Sequence, residues 1–161
     1  MIIAIDFDGT CVTHDYPHIG QDIGAVLVLR ELVDNGHQLM LWTMRGNKPE
    51  SKTLDDAVNW FKENGIPLWG INENPEQTET GWTNSKKQYA QLYIDDAALG
   101  CPLVHLQAND DSQQSKSLVE KGYPVHERPY VYWPAVKVML AGMNLIPSTI
   151  KTSMSRKSRQ G

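Results

Sequence analysis

A parallel α/β domain follows from two features of this 161-residue chain: short apolar runs alternate with stretches of helical periodicity, and several of those runs end in polar, reactive side chains. The first run, 2–5, is all apolar and stops abruptly at Asp6-Phe7-Asp8-Gly9-Thr10, which marks a buried strand followed by a tight loop. From Asp22, a suitable N-cap, the residues Ile23, Val26, Leu27, Arg30 and Val33 keep helical spacing until Gly36 ends the pattern. A second strand over 38–42 ends at Thr43. Leu54, Ala57, Val58 and Phe61 repeat the helical spacing, Gly65 closes it, and 67–71 reads as a third strand. Residues 72–85 carry polar and breaking residues around Pro75 and are expected to be a loop. A fourth strand, 92–94, ends at Asp95-Asp96; a fifth covers 103–106, and a last helix lies at about 134–142. Strands separated by helices give a parallel sheet covered by helices on its faces.

Composition bounds what such a domain does. Apolar residues make up 40% of the chain, enough for one sizeable core, and a mean hydropathy of -0.43 is that of a globular protein. No apolar run is long enough to span a membrane, and Asp6 interrupts the N-terminus before a signal-peptide core could form, so a cytoplasmic protein is expected. Cys11 and Cys101, far apart in sequence, make no disulfide framework and fit a reducing compartment. Four of the 15 basic residues, Lys151, Arg156, Lys157 and Arg159, lie in the tail 151–161, leaving 11 against 19 acids in the body. An acidic body argues against a nucleic-acid surface, and the tail reads as a disordered end beyond a domain at 1–150.

In open parallel sheets, ligands bind beyond the carboxyl ends of the strands. Here those ends carry Asp6 and Asp8, Thr43 and Arg45, and Asp95 and Asp96. Carboxylates brought together repel, and a cation is the simplest compensation; all-oxygen donors suit Mg²⁺, which is commonly held with a substrate phosphate. A hydroxyl at Thr43 and an ammonium at Lys86 or Lys87 could take the remaining phosphate oxygens. The pattern favours phosphoryl transfer, in which positioning and charge neutralisation supply most of the rate.

These residues resemble the haloacid dehalogenase-like (HAD) hydrolases. Asp6-Phe7-Asp8-Gly9-Thr10 after an apolar strand is similar to the first signature of that superfamily, and Leu41-Trp42-Thr43 to the second. Lys87 and Ala90 with Tyr93-Ile94-Asp95-Asp96 resemble the third and fourth, so four signatures stand in order over 2–96. The resemblance implies a Rossmann-like domain and a Mg²⁺-dependent phosphatase acting on a phosphate monoester through an aspartyl-phosphate on Asp6. It implies Asp8 as general acid and base, its backbone carbonyl also on the metal, Thr43 and Lys87 as phosphate ligands, and Asp95 and Asp96 as completing the metal site. An acid two residues after the nucleophile is lacking in the dehalogenases and transport ATPases of that superfamily, so the resemblance implies a phosphatase or phosphotransferase. A nucleotide or polynucleotide-end phosphatase and a non-catalytic binding domain of the same fold are the alternatives.

Two expectations concern access. Only 32 residues separate Thr10 from Thr43 and 43 separate Thr43 from Lys87, too few for a cap domain, so the cleft should be open. Water exclusion then falls to a flap at 11–20, to a second copy of the chain or to the substrate itself. Cys11, His14 and His18 form a C-x₂-H-x₃-H pattern without a fourth zinc ligand, and membership of that flap is the simpler reading, with Tyr16, Pro17 and His18 touching substrate. Arg45, two residues after Thr43 on the same loop, is read either as clamping a carboxylate or second phosphate of the substrate or as an ordinary surface arginine. Tyr130, Tyr132 and Trp133 read as packing residues, whereas His37, His105 and His126 carry no signal.

Overall fold

The computed structural model describes residues 1–77 and 85–148. The basic tail and much of the loop 72–85 therefore lie outside the described residues. Four strands form a parallel sheet: β1 (Ile2–Ile5), β2 (Gln38–Leu41), β5 (Gly70–Ile71) and β6 (Leu92–Ile94), in the order β5-β2-β1-β6. Between β2 and β5 the chain adds a hairpin of β3 (Asn47–Lys48) and β4 (Ser51–Lys52). After β6 come β7 (Leu103–Val104) and β8 (Tyr130–Val131), paired antiparallel in a ribbon of their own. The helices are α1 (Ala25–Asp34), α2 (Thr53–Glu63), α3 (Gln113–Glu120) and α4 (Trp133–Gly142).

The apolar alternation of the strands divides the core. Ile3 and Ile5 of β1 and Leu39 and Leu41 of β2 are fully buried in one cluster with Leu29 and Leu32 of α1, Ala57 and Phe61 of α2, and Trp133 and Leu140 of α4. Their neighbours Ile2, Ala4 and Met40 point to the opposite face, where Trp42, Trp69, Ala90 and Tyr93 cover them. Each fully buried aliphatic side chain contributes roughly 1.5–3 kcal/mol, so the first cluster dominates the stability of the sheet.

The register aligns the strand ends that matter. Ile5 pairs with Leu41 of β2 and with Ile94 of β6, so the residues just beyond, Asp6, Trp42 and Asp95, form one rank at the carboxyl edge. The chain runs from β1 outward to β2 and β5, then returns to place β6 on the other side of β1. The reversal point of strand order thus falls between β1 and β6, where a parallel sheet opens a crevice.

Several boundaries differ from the sequence reading. Helix α1 starts after Gly24, whose left-handed φ of 87° only a glycine adopts freely, while Asp22 accepts a hydrogen bond from the Gly24 amide in the preceding turn. The expected fifth strand shortens to Leu103–Val104 and pairs with β8 rather than the main sheet. Helix α3, whose N-cap Ser112 accepts a hydrogen bond from the Ser115 amide through its side-chain oxygen, has too polar a sequence to announce itself by periodicity. No helix among the described residues is long and apolar enough to cross a membrane, and no cap domain is present among them.

Candidate active site

Asp6 is held at the crevice by its backbone, whose amide donates to the Ile94 carbonyl at 3.0 Å and so extends the β1–β6 pairing by one step. That step places its carboxylate beside Asp95 and Asp96: one oxygen from each of the three lies within 4.8 Å of the other two. Thr10 ties two of them together. Its hydroxyl donates to Asp6 Oδ2 at 3.2 Å and accepts the Asp96 amide at 3.0 Å. The Asp6-Gly9 turn closes on itself through the Cys11 amide on the Phe7 carbonyl, and the buried Cys11 thiol faces the Asp6 carbonyl at 3.2 Å.

Three acids this close are electrostatically unbalanced. Burial, with repulsion from Asp95 and Asp96, raises the pKa of Asp6 from 3.8 to about 7, against hydrogen bonds from the Phe7 amide and Thr10 that favour its anion. Burial also pushes Asp96 up; the His14 ring and Arg128 oppose the shift and Asp95 adds to it. The donor set fits a divalent cation taking oxygen ligands such as Mg²⁺, since a positive charge among the three would relieve both desolvation and repulsion.

The C-terminal third forms a wall of this site, which the sequence reading did not foresee. The Val131 amide donates to the Gly9 carbonyl at 2.8 Å, Trp133 Nε1 donates to the Thr10 carbonyl at 2.7 Å, and His126 Nε2 donates to the His14 carbonyl at 2.9 Å. Tyr130 and Trp133 are buried, as their packing role required. His14 then lies with Nε2 3.0 Å from Asp96 Oδ2. The zinc pattern does not assemble: Cys11 is buried beneath Asp6, His14 faces Asp96 and His18 is exposed. Among the described residues, the three aspartates are the one grouping with metal-ligand spacing.

Gly9 is required here on two counts. Its φ is 81°, and a Cβ would stand 2.2 Å from His14 Nε2 and 2.8 Å from Asp96 Oδ2. Gly9→Ala is expected to cost about 1–2 kcal/mol from backbone strain alone, and more by displacing Asp96. Thermal unfolding and Mg²⁺ titration calorimetry should show a lowered Tm together with weakened binding; unchanged values for both would contradict this placement.

On the other side of Asp6, Thr43 follows β2. Its amide donates to Asn72 Oδ1 at 2.8 Å and its hydroxyl accepts the Arg45 amide at 3.2 Å. Asn72, just past β5 with φ 51°, braces this turn and passed unnoticed in sequence because its partners lie 29 and 27 positions away. Lys87 and Lys86 are both exposed. Lys87 Nζ lies 6.0 Å from the Tyr93 ring centroid, over the second face of the sheet, and forms no ion pair with the three aspartates.

Arg45 corrects the sequence reading most sharply. Neither the substrate clamp nor the surface arginine fits: only 3% of Arg45 is exposed and its guanidinium is engaged inside the protein. Nε donates to Asp8 Oδ2 at 2.8 Å and Nη2 to Asp8 Oδ1 at 2.7 Å, a two-pronged grip on one carboxylate. Nη2 also donates to the His18 carbonyl at 2.6 Å, and Nη1 to the Pro17 and Thr53 carbonyls at 3.2 and 3.4 Å. His18, the other expected substrate contact, is exposed on the flap and meets Arg45 through its backbone only. The Asp8 side chain therefore stands apart from the three clustered acids, leaving its backbone carbonyl as the atom the resemblance assigns to a metal.

Among solved structures, the chain is similar to the conserved protein coded by a locus of Bacteroides thetaiotaomicron, at 40% identity and a TM-score of 0.54 over 62% of this chain and 78% of that one. That likeness accords with the parallel α/β architecture described above. No protein-family model and no curated protein matches the chain.

Proposed function

We propose that the chain, which belongs to one family with that conserved Bacteroides protein, is a Mg²⁺-dependent phosphatase of the HAD type that hydrolyses a phosphate monoester through Asp6. The observation that carries the reading is the convergence of Asp6, Asp95 and Asp96 at the reversal point of a parallel sheet, with Asp8 on the same turn and Thr43 at the adjoining strand end. Like charges brought together in a half-buried crevice cost stability, so the arrangement supports a functional reading over a purely structural one.

Bound among these carboxylates, Mg²⁺ supplies the positive charge that lets one anion approach another. The chain's own residues do the rest. An Asp6 oxygen attacks phosphorus and the bond from phosphorus to the ester oxygen breaks; Asp8 enters this step as the carboxylic acid, with one oxygen held by Arg45 and the other carrying the proton that passes to the leaving oxygen. Asp8 then takes a proton from the water that attacks the phosphorus, and Asp6 leaves with the oxygen it brought, so the protein returns to its starting state. Thr43 holds a phosphoryl oxygen through its hydroxyl; the resemblance assigns the same task to Lys87, whose exposed ammonium has to leave the Tyr93 ring to perform it. Thr10 keeps Asp6 and Asp96 in register through both steps.

The reading is tested by incubating the protein with Mg²⁺ and p-nitrophenyl phosphate, then with a panel of phosphorylated metabolites. Metal-dependent release of inorganic phosphate is expected. A purified, folded protein that releases none from any ester would leave the alternative of a binding domain that keeps the fold without the chemistry.

A further inference from the structure

Asp8 has to meet the leaving oxygen, yet its side chain sits on a loop and no strand or helix fixes it. What fixes it is Arg45. The guanidinium grips both Asp8 oxygens, at 2.7 and 2.8 Å, and with its remaining N–H groups collects three carbonyls from two other segments, Pro17 and His18 of the flap and Thr53 at the start of α2. Its Cζ lies 4.9 Å from the Phe7 ring centroid and 5.5 Å from that of Tyr16, so aromatic faces enclose the cation as well. A planar fork can satisfy this set of acceptors at once; a single ammonium cannot. The position is also well anchored: the Arg45 amide donates to Thr43 Oγ1, the Arg45 carbonyl accepts from Asn72 Nδ2 at 3.4 Å, and Thr53 Oγ1 donates to the Gly46 carbonyl at 2.8 Å.

Resting on the phosphatase reading, we propose that Arg45 is a positioning residue that acts through Asp8: it sets the direction in which the Asp8 carboxyl meets the ester oxygen and ties the flap to the same guanidinium. The flap and the acid are then one unit. The chemistry predicts a selective deficit when the grip is lost. Proton donation matters for an alkoxide leaving group, which is a strong base, and little for an activated phenoxide, which departs as an anion. Formation of the phosphoenzyme, reported by kcat/KM, should therefore suffer on an alkyl ester far more than on an activated aryl ester.

The experiment compares kcat/KM for glycerol 2-phosphate and 2,4-dinitrophenyl phosphate, with Mg²⁺, in the unaltered protein, Arg45→Met, Arg45→Lys and Asp8→Asn, and in Asp8→Asn carrying Arg45→Met. Arg45→Met is expected to lower the alkyl-to-aryl ratio at least tenfold, and Arg45→Lys less, because one ammonium restores part of the grip. In the Asp8→Asn background, Arg45→Met should lower the ratio no further, since the residue through which it acts has gone. An unchanged ratio in an active Arg45 variant, equal losses on both esters, or a further fall of the ratio in the Asp8→Asn background overturns the inference alone. Absence of metal-dependent hydrolysis of either ester by the unaltered protein overturns the phosphatase reading, and the inference with it. Arg45→Lys keeps the test decisive if Arg45→Met does not fold.

Discussion

Asp6→Asn is expected to lower turnover by roughly a factor of 10⁴ or more while leaving a folded protein that melts higher than the original in the absence of metal. Both halves come from one geometry. The amide keeps the shape of the side chain and can still accept from Thr10, but has no anionic oxygen with which to attack phosphorus. It also removes one of three close negative charges. The Asp6 carboxyl ionises near pH 7 in the folded chain against an ordinary value of 3.8, so the folded form holds its proton more tightly than the unfolded form does. For an acid shifted upward, the associated stability is fully present below about pH 4 and is lost as the pH rises through about 7. Above that the penalty is complete, at most roughly 4 kcal/mol. Chelator-treated Asp6→Asn should therefore exceed the original protein in Tm at pH 8 and lose that advantage near pH 4. Near-normal hydrolysis by the variant would remove Asp6 from the chemistry; equal melting at both pH values would remove it from the charge imbalance.

Metal removal is the second large effect. Exhaustive chelation is expected to bring hydrolysis to the buffer background, Mg²⁺ to restore it, and Ca²⁺ to inhibit, because the larger ion takes more ligands at longer distances and misplaces Asp6 relative to phosphorus. The same ions should act on the fold. If Mg²⁺ binds at the proposed site it takes the ionised form of Asp6, so its affinity should rise as the pH passes through about 7, and the metal should raise Tm more at pH 8 than at pH 5. Calorimetric titration at the two pH values measures this without substrate. Full activity after chelation, or an affinity independent of pH, would contradict the assignment of the three aspartates.

The parts of this site legible in sequence are those in which neighbours along the chain share a task. Ile2 to Thr10 reads as strand, turn and acid pair because a buried strand needs unbroken apolar residues and the turn needs Gly9 at positive φ. Asp95 and Asp96 are legible for the same reason, as polar residues halting an apolar run. The side chains that position the acids were not legible, because their partners are distant in sequence. Arg45 meets Asp8 across 37 positions, His14 meets Asp96 across 82, and His126 meets the His14 carbonyl across 112. A lone arginine or histidine carries no periodicity to betray its partner, so Arg45 was read as pointing outward when charge pairing had turned it inward. The β3–β4 hairpin and α3 escaped notice because each is short and polar, with little apolar patterning to display.

The proposed Asp6–phosphorus linkage is covalent and can be read directly. A single turnover of the Mg²⁺-loaded protein with 2,4-dinitrophenyl phosphate is quenched in acid, reduced with borohydride and digested, and the peptides are sequenced by mass spectrometry. An acyl phosphate on a carboxylate is reduced to the alcohol, so an aspartyl-phosphate appears as homoserine at its position. Homoserine is expected at position 6 of the unaltered protein, and is expected to be absent from Asp6→Asn and from protein quenched without substrate. Turnover with homoserine at no position, or at Asp8, Asp95 or Asp96 in place of Asp6, would contradict it.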